Sequence, residues 1–182
     1  MNRAKFWLLI VLLSTFGVAN AQQRIANAGA GFQIDFPDDW RITNEKYGQG
    51  TIATANAAQD VMVVVMALNN PEEAFSKTFD ALMDAASQDF CVAQGYGPFK
   101  REQVREKKGV PPSFNQNGFT GFIGQAELMD DAKQQVLIEI AMYFLRNAEN
   151  KAFVLVVMAT PTSQKANQAV LKGIFDSLKG MP

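Results

Sequence analysis

The sequence predicts an α+β fold: an antiparallel sheet of about six or seven strands with helices on both faces, a three-layer α/β/α sandwich. Three observations predict it. Strand-like segments follow one another through short turns, which implies antiparallel neighbours. Two segments, residues 61–68 (VMVVVMAL) and 151–160 (KAFVLVVMAT), carry no consistently polar face and need cover from both sides. Two amphipathic helices, each with one apolar stripe, supply that cover.

In residues 31–36 (GFQIDF), Phe32, Ile34 and Phe36 alternate with Gln33 and Asp35. A period of two marks a strand with one buried face. Pro37 has no N–H and ends the ladder. Asp38 and Asp39 suit the turn that follows, because their short side chains bond nearby backbone N–H groups. Trp40 and Ile42 then resume apolar contact, and residues 51–56 (TIATAN) make a weaker strand. Asn69-Asn70-Pro71-Glu72-Glu73 is a helix start: Asn70 caps, Pro71 fits the first turn, and the two acids sit at the positive end of the dipole. Phe75, Phe79, Leu82, Met83, Ala86 and Phe90 recur at spacings of three and four, one stripe on a helix of about five turns.

Residues 94–99 (QGYGPF) read as a loop, and residues 100–108 (KREQVREKK) as an exposed edge strand or hairpin arm. Charge at an edge discourages pairing with another molecule. Residues 109–118 (GVPPSFNQNG) are expected to be a mobile loop. Strands follow at 119–128, at 134–146 and at 151–160. The second of these puts Val136, Ile138, Ile140, Met142 and Phe144 on one face, and the polar NAEN before the third suits a hairpin. Pro161 opens the last helix, striped by Val170, Leu171, Ile174, Phe175 and Leu178. Gly180 stands where a left-handed residue after a helix is wanted.

Ahead of the domain, Asn2, Arg3 and Lys5 precede an uncharged apolar run at 6–18 and then Ala19-Asn20-Ala21. This order is that of a secretory signal peptide cleaved between Ala21 and Gln22. The run is too short for a stable membrane span, which needs ~20 apolar residues. The expected organisation is a signal peptide at 1–21, a flexible lead-in at 22–30 and a single domain at 31–180. Removal of residues 1–21 takes away Arg3 and Lys5 and no acid, so 17 basic side chains fall to 15 against 18 acidic, a net charge of −3. That speaks against nucleic acid as a partner. Cys91 is the single cysteine, expected as a small buried apolar residue, and the chain contains no histidine. The composition excludes Ser-His-Asp and Cys-His nucleophile systems, His-ligated zinc and haem, and cysteine-rich metal centres. No cofactor and no metal are expected.

Four features were candidates for chemistry. Asp38-Asp39-Trp40 offers two carboxylates beside an indole, but adjacent side chains in an extended segment diverge, and a turn leading to a core Trp accounts for all three. Asp130-Asp131, after Glu127, could be another carboxylate cluster but read as a solvated turn between two strands, and Glu72-Glu73 read as helix-start acids. Met62, Met66, Met83, Met142 and Met158 could line an adaptable apolar pocket, with plain core packing as the alternative. Tyr96, Phe99, Pro111, Pro112 and Phe114 flank the charged run without belonging to an apolar stripe. They form either a partner surface or a cap folded back over one end of the sheet.

Residues 31–40 (GFQIDFPDDW), with the apolar strand, proline and helix of 154–180 (VLVVMATPTSQKANQAVLKGIFDSLKG), resemble the PsbP-like superfamily, which includes DcrB-type bacterial envelope proteins and Ran-binding Mog proteins. The likeness runs through nearly all of the domain in element order and ends in a Phe-x-x-Ile-x-x-Ser-like pattern, here Phe175-Asp176-Ser177-Leu178. It implies this fold and an envelope compartment. The matched motifs are packing motifs, so no catalytic residue comes with them. The expectation is an exported, non-catalytic envelope protein of the periplasm, with extracellular release as the alternative. It would be monomeric or weakly associated and would serve as an interaction or accessory module for an envelope protein partner. The alternatives are a carrier of small apolar ligands and a hydrolase built on carboxylates.

Overall fold

A computed structural model describes residues 22–44, 51–68, 77–96, 104–106, 113–129 and 137–181. The leader, the expected start of the first helix and the acids Asp130-Asp131 lie outside these residues. The main sheet contains eight strands: β3 (Arg41–Asn44), β4 (Thr51–Ala55), β5 (Val61–Leu68), β6 (Val104–Glu106), β7 (Ser113–Gln116), β8 (Phe119–Met129), β9 (Leu137–Arg146) and β10 (Ala152–Ala159). Their spatial order is β3-β4-β5-β10-β9-β8-β6, with β7 also paired to β8. A three-stranded ribbon joins β1 (Gln22–Asn27), β2 (Phe32–Pro37) and β11 (Lys179–Gly180) in the order β1-β2-β11. Every pairing is antiparallel.

The two strands without a polar face, β5 and β10, lie side by side at the centre of the main sheet, as their composition demands. β10 is buried at all eight positions. Alternate side chains feed two separate cores. On one face, Val61, Val63, Val65, Phe153, Leu155 and Val157 meet the ribbon's Phe32, Ile34 and Phe36 and the helix α3 (Gln168–Ser177), through Val170, Leu171, Ile174 and Phe175. On the other, Met62, Val64, Met66, Val154, Val156, Met158, Ile138 and Ile140 meet Ala86, Phe90 and Cys91 of α1 (Lys77–Ala93). Helices therefore cover both faces, as predicted, and Cys91 is buried. A short helix, α2 (Pro161–Ala166), precedes α3.

Three expectations need correction. Residues 22–27 are a strand of the ribbon and not a flexible lead-in. Its partners are polar: Arg24 stands opposite Asp35 and donates two hydrogen bonds to it, at 2.8 and 3.0 Å. Gln23 Nε2 donates to the carbonyls of Pro37 and Trp40. Ile25 is the one large apolar side chain of the strand, so the apolar alternation that marks a strand is missing. Within the expected mobile loop, residues 113–116 form β7, because Asn117 and Gly118, both at positive φ, make the two-residue turn of a hairpin with β8. Gly180 does not end a helix in the left-handed region; it pairs with Phe32 in β11. A Cβ there would lie 3.0 Å from Asn147 Cβ, so a larger residue would need the Asn147 side chain to give way by a few tenths of an ångström.

The turn at Pro37 is as expected. Trp40 N–H closes it on the Pro37 carbonyl, Asp38 and Asp39 face solvent, and Trp40 is buried against Phe36. The charged run supplies β6, an edge of the main sheet.

Phe153 couples the layers. It lies between Phe32 and Phe119, with both rings edge-on at 5.6 Å. Truncation to alanine removes both contacts and leaves a hole between sheet and ribbon. Phe153→Ala should lower the unfolding free energy by ~3–5 kcal/mol, read from urea denaturation. A loss below ~1 kcal/mol would show that the ribbon does not depend on this contact.

Candidate functional site

The Val-rich face holds a cavity of about 300 Å³ beneath the C-terminal helices. Its origin lies in how those helices are held. Thr160 caps α2, its hydroxyl accepting from Ser163 N–H at 3.1 Å, and Pro161 fills the first helical position. Ser163 Oγ donates to Asp60 Oδ2 at 2.7 Å, tying α2 to the turn between β4 and β5. Asn167 interrupts the helix, its side chain donating to the Ser163 carbonyl, and α3 follows directly. At the far end, Ser177 Oγ accepts from Asp35 N–H at 2.9 Å and donates to the Ile174 carbonyl at 2.6 Å. The helical segment is thus pinned at both ends by polar contacts, while short valines lie under its middle.

Val63, Leu155 and Val157 form the cavity floor, and Leu171, Ile174 and Phe175 its roof. Tyr143 stands in the wall, its ring 5.2 Å from that of Phe175. Burial pushes the Tyr143 phenol up from its usual range, so it keeps its proton at neutral pH. Gln164, Gln168 and Lys172 complete the lining on the polar side. Lys172 is ion-paired with Asp176, four residues on and well exposed. A second hollow, broader and more polar, of about 450 Å³, lies between Pro37, Asp38, Asp39, Trp40, the turn at Asn56, Ala57 and Ala58, and Asn167 and Val170.

Among the described residues, the methionines singled out in the sequence are core residues, as plain packing predicts, and they do not line the cavity. Met62, Met66 and Met158 are buried in the core beneath α1, with Met142 packed on it, and the cavity opens on the opposite side of the sheet. The valine floor was the missed signal: β5 and β10 send short side chains to one face and methionines to the other. Gln164, Gln168 and Lys172, spaced by four beside the apolar stripe, were not singled out in the sequence.

Of the expected partner surface, Tyr96 is half-buried and packs against the methionine core, its N–H bonded to the Cys91 carbonyl at 2.9 Å. Phe114 lies in β7 opposite Gly121. Phe99, Pro111 and Pro112 lie outside the described residues. Val92, near the C-terminal end of α1, is 62% exposed, and among the described residues it is the large apolar side chain left open to solvent.

The carboxylates are used as fasteners. Asp35 pairs with Arg24, and Asp176 accepts from Lys172, Gln116 and Asn117, the last through its backbone carbonyl. Asp60 accepts from Asn56 as well as Ser163. Glu127 and Glu139 stand opposite one another on β8 and β9, with Arg105 next in the same cross-strand row. Glu127 lies in the strand expected at 119–128. Among the described residues no three acidic or cysteine side chains gather as a metal site, and no helix is long and apolar enough to cross a membrane.

Three of these carboxyls have lowered pKa values, Asp176 through its hydrogen bonds from Lys172 and Gln116. The Arg24 hydrogen bonds hold Asp35 below the usual carboxylate range. For Asp60, partial burial pushes upward, but hydrogen bonds from Ser163, Asn56 and its own backbone N–H together outweigh it and the carboxyl is lowered. Groups lowered on folding stabilise fully above the unfolded value of ~4 and lose that contribution as pH falls through their folded values. The urea midpoint should therefore drop between pH 6 and pH 3, and drop less in Asp35→Asn/Asp60→Asn. An equal drop would place the acid sensitivity elsewhere.

No protein-family model matches the chain, and no curated protein is significantly similar to it in sequence. Solved structures are similar in fold. The solution structure of cyanobacterial PsbP from Synechocystis sp. PCC 6803 superposes with a TM-score of 0.54 at 8% identity, over 91% of this chain and 95% of that one. LpqN of Mycobacterium tuberculosis, involved in cell envelope biogenesis, gives 0.49 at 12% identity, over 89% and 91%. The Ran-binding protein Mog1p of Saccharomyces cerevisiae gives 0.44 at 11%, over 89% and 96%. The chain has the PsbP-like fold expected from its opening strand and closing helix.

Proposed function

We propose that this chain is an exported, non-catalytic accessory protein of the cell envelope, resident in the periplasm, that works by docking another envelope protein. The observation that carries this reading is Val92. It is a branched apolar side chain open to water near the end of α1, one turn before the chain enters residues 95–117 with their aromatics and prolines. A lone exposed valine is ordinary; this one is followed in the sequence by Phe99, Pro111, Pro112 and Phe114, a composition that suits the apolar centre of a partner surface. The basic, apolar and small residues of 1–21 support export. The structural employment of Asp35, Asp60 and Asp176 supports a scaffold over a carboxylate hydrolase, whose two acids must be free to meet a substrate across a cleft.

The test is capture from periplasmic extract with the tagged mature chain, comparing the native sequence with Val92→Asp and with Phe99→Ala/Phe114→Ala. Both variants should keep the native circular dichroism and urea midpoint and lose the captured partner. Full capture by folded variants would overturn the docking surface.

A further inference from the structure

We propose that the cavity beneath α3 is a binding site for a single-chain amphiphile with an uncharged, hydrogen-bonding head. The site lies on the face of the sheet opposite α1, so it is independent of the partner surface at Val92.

The cavity is built into the framework. The helical segment above it is fastened at Ser163 to Asp60 and at Ser177 to the backbone of Asp35. Between these points the roof rests on Ile174, which is buried, and on Leu171 and Phe175, which are only half covered. Closing the gap would require the helix to sink toward Val63 and Val157, and the two fasteners hold it at a set height. On the opposite face, where Met62, Met66 and Met158 reach further from the same two strands, the space is taken by side chains. The floor residues Val63, Leu155 and Val157 are buried, so the apolar surface that a guest would remove from water lies on the half-covered Leu171, Phe175 and Tyr143.

Shape and lining set the class of guest. The floor and roof are hydrocarbon and aromatic, and the volume of about 300 Å³ lies at the small end of ligand pockets. At ~30 Å³ for each water-sized group, the space suits of the order of ten such groups of an alkyl chain, with the head left at the polar side. That side carries the amides of Gln164 and Gln168, each both donor and acceptor, and Lys172. The Lys172 ammonium is already paired with the Asp176 carboxylate. An anionic head would have to displace the Asp176 carboxylate from Lys172, and a cationic head would be repelled by the Lys172 ammonium in the lining. A hydroxyl, ester or amide head meets neither penalty and matches the glutamine amides.

The experiment is titration of the mature chain with decan-1-ol, decanoate and decylammonium at pH 7, by calorimetry and by displacement of the neutral fluorophore N-phenyl-1-naphthylamine. Decan-1-ol should bind saturably at one site, at least tenfold more tightly than either charged analogue. Leu171→Trp and Val157→Phe, which fill the cavity from roof and floor, should each weaken it tenfold or more. Met62→Leu, on the opposite face, should change it less than twofold. For any variant that fails to fold, methyl NMR of the native chain replaces it: decan-1-ol should shift Val63, Val157 and Leu171 and leave Val64 and Val154 in place. Absence of saturable binding, or binding insensitive to both filling variants with no methyl shifts at the three positions, overturns the site. Equal or tighter binding of decanoate or decylammonium overturns the uncharged head.

Discussion

The architecture depends on one constraint: β5 and β10 are adjacent strands that must be kept from water on both faces. A sheet with one solvated face would leave either the valines or the methionines exposed. The chain answers with α1 on the methionine side, and with α3 and the three-stranded ribbon on the valine side. The ribbon is needed because a single ten-residue helix is too narrow to cover its share of a broad sheet. Phe32, Ile34 and Phe36 close the remainder, stacking through Phe153.

Polar contacts decide how these layers sit. Asn147, buried at the turn between β9 and β10, accepts from Lys151 N–H and reaches the Gly31 carbonyl with its amide. The same carbonyl accepts from Met181 N–H. Asn56, Asp60 and Ser163 join the turn between β4 and β5 to α2. Ser177 joins α3 to β2. Each contact lies at the end of an element, where backbone groups are left over, and each sets a spacing that apolar packing alone leaves soft. The gap under α3 is the consequence of two such spacings.

Much of this was legible in residue patterns. The all-apolar segments identified the central strands, and the stripes at three and four identified both helical faces. Pro37-Asp38-Asp39-Trp40 was read as a turn before a core indole. What escaped was written in polar residues. β1 is held by Arg24, Gln23 and Asn27, and a reading based on apolar alternation has no purchase on such a strand. β7 depended on recognising Asn117-Gly118 as a hairpin turn inside a stretch that otherwise reads as loop. The cavity escaped for a different reason. It is a difference between what two faces lack, and neither valine nor glutamine advertises a missing neighbour.

The ribbon's last strand is formed by Lys179–Gly180, and Ser177 bonds Asp35 across 142 positions of chain. The phenylalanines of β2 are thus shielded only when the final residues arrive. Synthesis of the amino-terminal half cannot complete this domain, because β2 pairs with residues 179–180, and closing so long a loop carries an entropic cost. A nascent chain of this design leaves the ribbon unfinished until residues 177–180 have been made.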